Sequence, residues 1–341
     1  MYKRLEEWLV ADWLRKIVSS AVNVVAGGAH ALGASQVSPA REERLELAPN
    51  GQLTIDTPSG SISITGCEGR HATLKYVKTC WGLSDEDARR AFDAVNVVVR
   101  LEGPATRITT ERPRLSPASR VSVSYELAVP ADVAVTAESA SGTIRVCDMA
   151  AAVVASTASG SIAASGCSEG TSLRSASGAV AASKCAGRVE LHAQSGSIDA
   201  VDCTGNLSLD SKSGAITVQG GKGEVDLRAV SGPISVDAVV IPSRFQATCV
   251  SGSVRATLSP EPGAELYARS VSGHVTLTLP ENVCANIDCR TVSGGVNITL
   301  PCTVTTSNPR HIVASCGGHG GRPVRVKAEA TSGSVQVGAQ A

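Results

Sequence analysis

Cysteine and histidine carry most of the reactive chemistry in this 341-residue chain, which has 11 Cys and 6 His. Four of these side chains lie within 18 residues of one another near the C-terminus: Cys302, His311, Cys316 and His319. Zinc prefers thiolate and imidazole ligands, so this group is the nearest approach to a metal site in the sequence. Its spacing, C-x8-H-x4-C-x2-H, does not match the paired knuckles of structural zinc sites. We therefore expect no metal and no cofactor, and a loop that carries these residues incidentally.

Three further cysteines, Cys167, Cys185 and Cys203, are spaced 18 residues apart, which leaves two interpretations open. Free cysteine is among the most buried residue types, so the thiols could form a buried ladder. Alternatively, disulfides could join neighbouring repeats, which requires an oxidising compartment. Because 11 cysteines cannot all pair, we predict the buried ladder of reduced thiols in an intracellular protein, with export as the alternative.

Serine and carboxylate side chains form no catalytic constellation in the sequence. A serine precedes the glycine of successive repeats, but no histidine recurs at a matching position, which favours turn-forming hydroxyls over nucleophiles. Acidic residues are scattered among opposite charges, and beyond residue 131 the aromatic residues are Phe245 and Tyr267. A sugar-cleaving site needs convergent carboxylates. We predict that the protein is not an enzyme, with a carbohydrate-active β-helix enzyme as the alternative.

The elements that position these side chains follow from a repeat with the pattern S-G-x-[IV]. The pattern occurs at Gly60, Gly142, Gly160, Gly178, Gly196, Gly214, Gly232, Gly252, Gly273, Gly294 and Gly333. From Gly142 to Gly232 the spacing is 18 residues five times in succession, and it then becomes 20, 21 and 21. Intervals of this regularity indicate a repeat array, in which each unit buries its apolar face only against its neighbours.

Within one repeat, apolar residues alternate with polar ones. Ile or Val stands two residues after the glycine, as in Ile198 and Ile216, and pairs such as Leu207 and Leu209 follow later. This period of two predicts strands with one buried face, separated by turns at the glycines. Repeats of this kind stack about 4.8 Å apart. We therefore predict an all-β fold, a single-stranded β-solenoid (β-helix) of about ten coils with an 18–21-residue repeat.

Residues 45–337 form the predicted solenoid, and two of its segments depart from the strict repeat. Residues 71–130 read as an irregular insertion or as the first coils, and Ser84 is expected to cap a short helix that ends near Ala94. Residues 301–331 form a Gly- and Pro-containing excursion. A last Ser-Gly coil at Gly333 is expected to follow it.

Residues 1–34 precede the solenoid and predict a short amphipathic helix. Apolar residues stand at helical spacing in this segment: Leu5, Trp8, Leu9, Trp13 and Ile17. The helix could cap the open end of the solenoid or lie at a membrane interface. A targeting role also stays open, since Ala29-His30-Ala31 has the small-x-small form of a cleavage site.

Charge and composition limit the partners and the core. The 31 basic residues equal the 31 acidic residues, which argues against nucleic-acid binding through bulk electrostatics. Hydrophobic residues make up 43% of the chain but aromatic residues only 3%, so we expect a narrow core of small side chains.

Three segments carry a resemblance to a known family: Val121–Pro130 (VSVSYELAVP), Val271–Pro280 (VSGHVTLTLP) and Val292–Pro301 (VSGGVNITLP). Together with the serial S-G-x-[IV] coils, they resemble the bacterial-type putative adhesin family of unknown function, over about residues 45–337. The resemblance implies a single-chain β-solenoid with no family-wide catalytic residues. We therefore expect an adhesin-like binding or structural scaffold whose partner is a protein or glycan surface. A membrane-associated surface protein tethered by residues 1–34 is a further alternative.

Overall fold

The computed structural model describes residues 34–112, 120–317 and 322–340. Within these ranges the chain forms thirty strands and one helix, so the all-β prediction is confirmed. The predicted N-terminal helix lies outside the described residues. Across the same ranges, no helix has the length and apolar character needed to cross a bilayer.

The first part of the chain contains the helix and eight strands. These are β1 (Ala34–Val37), β2 (Arg41–Glu46), β3 (Gln52–Ser59), β4 (Ile62–Cys67), β5 (His71–Gly82), α1 (Asp85–Ala94), β6 (Asn96–Glu102), β7 (Ala105–Glu111) and β8 (Arg120–Pro130). The expected cap of α1 is confirmed, because the Asp87 amide donates a hydrogen bond to Ser84 Oγ over 3.1 Å.

The regular repeats supply the next strands in alternating longer and shorter pairs. These are β9 (Ala134–Ser141), β10 (Ile144–Cys147), β11 (Val153–Ser159), β12 (Ile162–Ser165), β13 (Gly170–Ser177), β14 (Val180–Ser183), β15 (Ala186–Ser195), β16 (Ile198–Val201), β17 (Thr204–Ser213), β18 (Ile216–Gln219), β19 (Lys222–Ser231) and β20 (Ile234–Ile241).

The C-terminal part adds ten strands. These are β21 (Arg244–Ser251), β22 (Val254–Pro260), β23 (Glu265–Ser272), β24 (Val275–Leu279), β25 (Ala285–Ser293), β26 (Val296–Ile298), β27 (Cys302–Asn308), β28 (His311–Cys316), β29 (Val324–Ser332) and β30 (Val335–Ala339).

Parallel pairing joins each strand of the repeats to the strand two places further along the chain. In β10, β12 and β14 the residues Ile144, Ile162 and Val180 are successive register partners, each 18 residues from the last. The longer strands pair in the same way, as Val189 does with Leu207. Like residues therefore stack on like, and the buried members of these rows form the core.

Two sets of parallel strands result, and each contains twelve of the described strands. The first strand set runs in the spatial order β7, β3, β9, β11, β13, β15, β17, β19, β21, β23, β29, β25. The second strand set runs β8, β4, β10, β12, β14, β16, β18, β20, β22, β24, β30, β26.

Each repeat glycine lies between a strand of the first set and the following strand of the second set, and these glycines form one column. At Gly196 φ is +150°, and an added Cβ would lie 2.1 Å from the carbonyl oxygen of Gly178. The Gly196 amide donates in turn to Ser213 O over 3.0 Å. Both the backbone angle and the close approach require glycine, which explains why the Ser-Gly dipeptide marks the repeat.

Strands of reversed direction cover the N-terminal end of the two sets. Residues 71–130 supply β7 and β8, which extend the parallel sets beside β3 and β4. They also supply β5 and β6, which pair antiparallel with β8 and β7. Strands β1 and β2 then pair antiparallel with β5.

At the C-terminal end the spatial order departs from the chain order. The sequence predicts Gly333 in the last coil, but β29 and β30 lie between the strands that carry Gly273 and Gly294. Ser332 pairs with both Ser272 and Ser293. The preceding excursion contains an antiparallel hairpin, β27–β28, on the far edge of β25. The connection between β26 and β29 is long enough for the chain to turn back and place β29 and β30 between earlier strands. The spacing of the repeats does not predict this spatial order.

Replacing a stacked corner glycine is expected to destabilise the fold. We predict that Gly196→Ala lowers the free energy of unfolding by roughly 1–3 kcal/mol, because the Cβ meets a carbonyl oxygen at an unfavourable φ. The control is Gly295→Ala, where an added Cβ has no neighbour within 4 Å. Urea denaturation of both variants measures the difference, and equal losses would contradict the stacked-corner interpretation.

Candidate functional site

A broad polar face covers the outer side of the first strand set. Seven adjacent strands, β15, β17, β19, β21, β23, β29 and β25, each turn alternate residues inward, such as Leu191, Leu209 and Leu227. The intervening residues point outward and form three columns through the register of the strands. We call these three columns the polar face.

The polar face has mixed charge in every column. The first column contains Arg188, Asn206, Glu224, Arg244, Glu265, Arg325 and Asn286. The second contains Glu190, Ser208, Asp226, Gln246, Tyr267, Lys327 and Asp288. The third contains His192, Asp210, Arg228, Thr248, Arg269, Glu329 and Arg290.

Ion pairs hold many of these side chains in place. Arg228 Nη2 lies 2.6 Å from Asp226 Oδ2, and Arg325 Nη1 lies 2.9 Å from Glu265 Oε1. Lys327 Nζ lies 2.8 Å from Glu329 Oε1. Exposed pairs of this kind contribute only about 0.2–1 kcal/mol each, so they order the face more than they stabilise the fold.

Tyr267 is the aromatic residue of the polar face, whereas Phe245 is fully buried. Its hydroxyl donates to Glu329 Oε2 over 3.0 Å, and Lys327 Nζ lies 5.6 Å from the centre of its ring. Burial opposes ionisation of Glu329, but hydrogen bonds from Lys327 and Tyr267 outweigh it and lower the pKa of that carboxyl. Glu329 is therefore an ionised acceptor rather than a general acid.

A shallow depression of about 300 Å³ lies in the polar face among side chains that include Arg188, Glu224 and Arg244. Asp226 lines the same depression, where its Oδ2 accepts from Arg228. Asp226 Oδ1 is buried and makes no hydrogen bond to any described residue. Ordered water, or a ligand that brings a donor, would complete the hydrogen bonding of this oxygen.

An exposed row of valines borders the third column. Val230, Val250, Val271 and Val292 are 52%, 45%, 37% and 65% exposed and stand two residues before their repeat glycines. Thr331 continues the row between the last two valines, because Ser332 pairs with Ser272 and Ser293. Sequence reasoning missed this row, although the recurring Val-Ser-Gly tripeptide is visible in four consecutive repeats. We call it the valine rim.

The cysteines of the predicted ladder, Cys167, Cys185 and Cys203, are at most 2% exposed, and all 11 cysteines are free thiols. Hydrogen bonds from Cys167 and Cys203 lower the pKa of the central Cys185. A hydrogen bond to Cys185 and burial raise the pKa of both outer thiols. The ladder is part of the core, out of contact with solvent.

The four residues of the candidate metal site are not brought together. Cys302 and Cys316 face each other in the β27–β28 hairpin, but His311 stands at the other end of β28. Five residues of extended chain separate His311 from Cys316 by about 17 Å, because a strand rises about 3.3 Å per residue. His311 Nε2 instead lies 3.0 Å from Asp288 Oδ1. His319 lies outside the described residues, and within them no cluster of three metal-ligating side chains occurs.

Asp199 is a carboxyl of the second strand set with a perturbed environment. Burial raises its pKa, although a hydrogen bond from Ser197 Oγ over 3.2 Å opposes the shift. Its register neighbours in the adjoining strands are Ala181 and Thr217. Neither of these register neighbours is acidic.

The stacked parallel strands define a class of protein, the all-β proteins with a long sheet of many strands. The chain belongs to the Toastrack DUF4097 family, which matches residues 95–338 and has no established function. This match confirms the resemblance noted in the sequence.

Three of the solved structures similar to this chain come from two bacteria. A putative adhesin from Parabacteroides distasonis ATCC 8503 is 11% identical, with 89% of this chain and 98% of that chain covered and a TM-score of 0.46. A putative lipid binding protein from the same organism is 8% identical, with 89% and 98% covered and a TM-score of 0.36. A putative cell adhesion protein from Clostridium sporogenes ATCC 15579 is 10% identical, with 89% and 100% covered and a TM-score of 0.22. No curated protein matches the chain.

Thiol labelling tests the burial of the cysteine ladder. We expect N-ethylmaleimide to modify the half-buried Cys147 in the native protein while Cys167, Cys185 and Cys203 stay unmodified. All four should react in urea. Peptide mass spectrometry measures each site, and native labelling of the ladder at the rate of Cys147 would contradict its placement in the core.

Removing the charge of Asp199 is expected to stabilise the protein at neutral pH. The pKa of Asp199 is higher in the folded chain than in the unfolded chain. As the pH rises from the pKa of the unfolded chain through that of the folded chain, the Asp199 carboxyl therefore lowers the free energy of unfolding. Asp199→Asn should therefore raise the melting temperature at neutral pH, and the gain should vanish below the ordinary value of 3.8. The control is the exposed Asp237→Asn, and a gain that persists in acid would contradict this origin.

Proposed function

We propose that the protein is a non-enzymatic, adhesin-like binding scaffold built as a single-stranded β-solenoid of about ten coils with an 18–21-residue repeat. Support for the coils comes from register partners 18 residues apart in successive strands. The polar face is then the binding surface, and the valine rim is its apolar edge. The partner is a protein or glycan surface, because the interleaved charges favour neither nucleic acid nor an anionic membrane.

The observation that carries the proposal is that the strands beneath the polar face hold its side chains in fixed positions. Each of its seven strands is hydrogen-bonded on both sides, so the outward side chains stand on a rigid grid. The strand spacing and rise give a face of about 30 Å by about 20 Å. This area is on the order of 600 Å², near the ~800 Å² that each partner contributes to a standard interface. A rigid surface loses little entropy on binding, which supports a recognition role.

The ion pairs made by the acidic side chains of the polar face favour a non-catalytic role. Asp226, Glu265 and Glu329 each contact an arginine or lysine. Hydrogen bonds from Lys327 and Tyr267 lower the pKa of Glu329, whereas a glycosidase needs one carboxyl that stays protonated. Tyr267 and the arginines around it are instead typical of residues that dominate binding energy at interfaces.

Binding is tested with the labelled full-length chain on arrays of glycans and of immobilised proteins. Tyr267→Ala and Arg269→Glu on the polar face should each weaken binding to any partner found by at least about tenfold, equal to about 1.4 kcal/mol. The matched control is Arg255→Glu, an exposed arginine on β22 of the second strand set, which should bind like the wild type.

Two results would contradict the proposal. One is a partner whose affinity responds to Arg255→Glu but not to the polar-face variants. The other is turnover of an arrayed glycan that is lost in Asp199→Asn, which would favour a carbohydrate-active enzyme.

A further inference from the structure

Cys302 and Cys316 hold directly opposed positions in the hairpin that covers the outer edge of β25. Cys302 is the first residue of β27, Cys316 is the last residue of β28, and the two are register partners in an antiparallel pair. Opposed residues of such a pair have Cα atoms about 4.5–5.5 Å apart. A disulfide needs about 4.4–6.8 Å, so backbone movement is not required to form one here.

The two thiols also face the same side of the hairpin. Cys316 is 4% exposed and belongs to the hydrophobic core, and the half-buried Cys302 packs against that core. Cys302 Sγ donates a hydrogen bond to Leu300 O over 3.1 Å. On the other side of β28, the register partner of Cys316 is Ala285. Cys302 is therefore the thiol directly opposite Cys316.

We propose that Cys302 and Cys316 are a reversible thiol-modification site that forms an intramolecular disulfide by exchange with a low-molecular-weight disulfide such as glutathione disulfide. The inference does not depend on the proposed binding function. The partner class is defined by chemistry, as a small soluble disulfide that can reach one half-buried sulfur.

The exchange takes place in two balanced steps. The Cys302 thiolate attacks one sulfur of the small disulfide, forms a mixed disulfide and releases one thiolate. The Cys316 thiolate then attacks Cys302 Sγ, which forms the intramolecular bond and expels the second thiolate. The two protons lost by the cysteines end on the released thiolates, so two protein thiols are oxidised and one small disulfide is reduced to two thiols.

Accessibility together with an opposed thiol distinguishes this pair, because the half-buried Cys147 has Thr65 and Ser165 as its register partners. Exchange begins only at a sulfur that the small disulfide can reach, and Cys302 is half-buried whereas the ladder thiols are fully buried. Burial also raises the pKa of Cys316, which makes the second step slower than exchange between exposed thiols. We therefore expect the intramolecular disulfide to form slowly, and to form at this pair.

The bond would fasten the hairpin over β25. Strand β28 pairs with the outer edge of β25, and within the described residues β27 pairs only with β28. A covalent link between the two ends of the hairpin restricts its unfolded forms and keeps the β25 edge covered. The oxidised protein should therefore melt at a higher temperature than the reduced protein.

Peptide mapping of the full-length wild-type protein tests the proposal directly. After incubation with glutathione disulfide, remaining thiols are blocked with N-ethylmaleimide and the unreduced protein is digested with trypsin. Cleavage at Arg290, Arg310 and Arg325 leaves Cys302 alone in peptide 291–310 and Cys316 alone in peptide 311–325. We expect these two peptides to be linked, with the loss of two hydrogen atoms, and to separate on reduction.

Three outcomes of this map would overturn the proposal. The first is recovery of both peptides fully alkylated, and the second is peptide 291–310 carrying glutathione with no link. The third is a link from 311–325 to peptide 270–290, which contains Cys284 and Cys289. The map uses the wild-type chain, so it stands even where a variant folds poorly.

Variants provide the second readout. Cys302→Ser and Cys316→Ser should each abolish the link and the rise in melting temperature on oxidation. Cys249→Ser, which removes a buried thiol of β21, is the matched control and should keep both. A rise in melting temperature that persists in Cys302→Ser would assign the stabilisation to another pair of cysteines.

Discussion

The contact of one corner glycine with the next is the constraint on which the rest of this structure depends. An added Cβ at Gly196 would lie 2.1 Å from Gly178 O, and one at Gly214 would lie equally close to Gly196 O. The backbones therefore approach more closely than any side chain allows, and they do so at the same point of each repeat. Because this close approach fixes the position of each corner glycine relative to the next, the corners set the register of both strand sets.

The register of the strands determines which side chains of the sequence pattern lie together on one surface. The side-chain period of a strand is two, so a slip of one residue would turn Leu209 outward and Asp210 into the core. With the corners aligned, Leu191, Leu209 and Leu227 stack inside while charged residues stack outside. The same alignment brings valines from consecutive repeats into one rim. The proposed binding surface is thus a consequence of how the strands stack.

The sequence was sufficient for local features and insufficient for the ends and the surface. Alternation and the Ser-Gly dipeptide identify strands and corners because both are local properties. The place of Gly333 was not predictable, since its strands fit equally well between or beyond their neighbours. The separation of the candidate ligands was not predictable for a related reason: His311 and Cys316 are close in the sequence, whereas an extended strand holds them apart. The polar face emerges only once the partner of each strand is known.

The ends of the stack pose a physical problem that the repeats themselves create. A parallel strand always leaves an edge that can accept another strand, so an array of identical repeats has no natural end. Here strands of reversed direction lie at both ends, where β5 pairs with β8 and the β27–β28 hairpin pairs with β25. These end strands do not carry the repeat, so their side chains are free to differ from those of the core rows. A covalent change between Cys302 and Cys316 can therefore act on the closure of the stack while the polar face keeps its register.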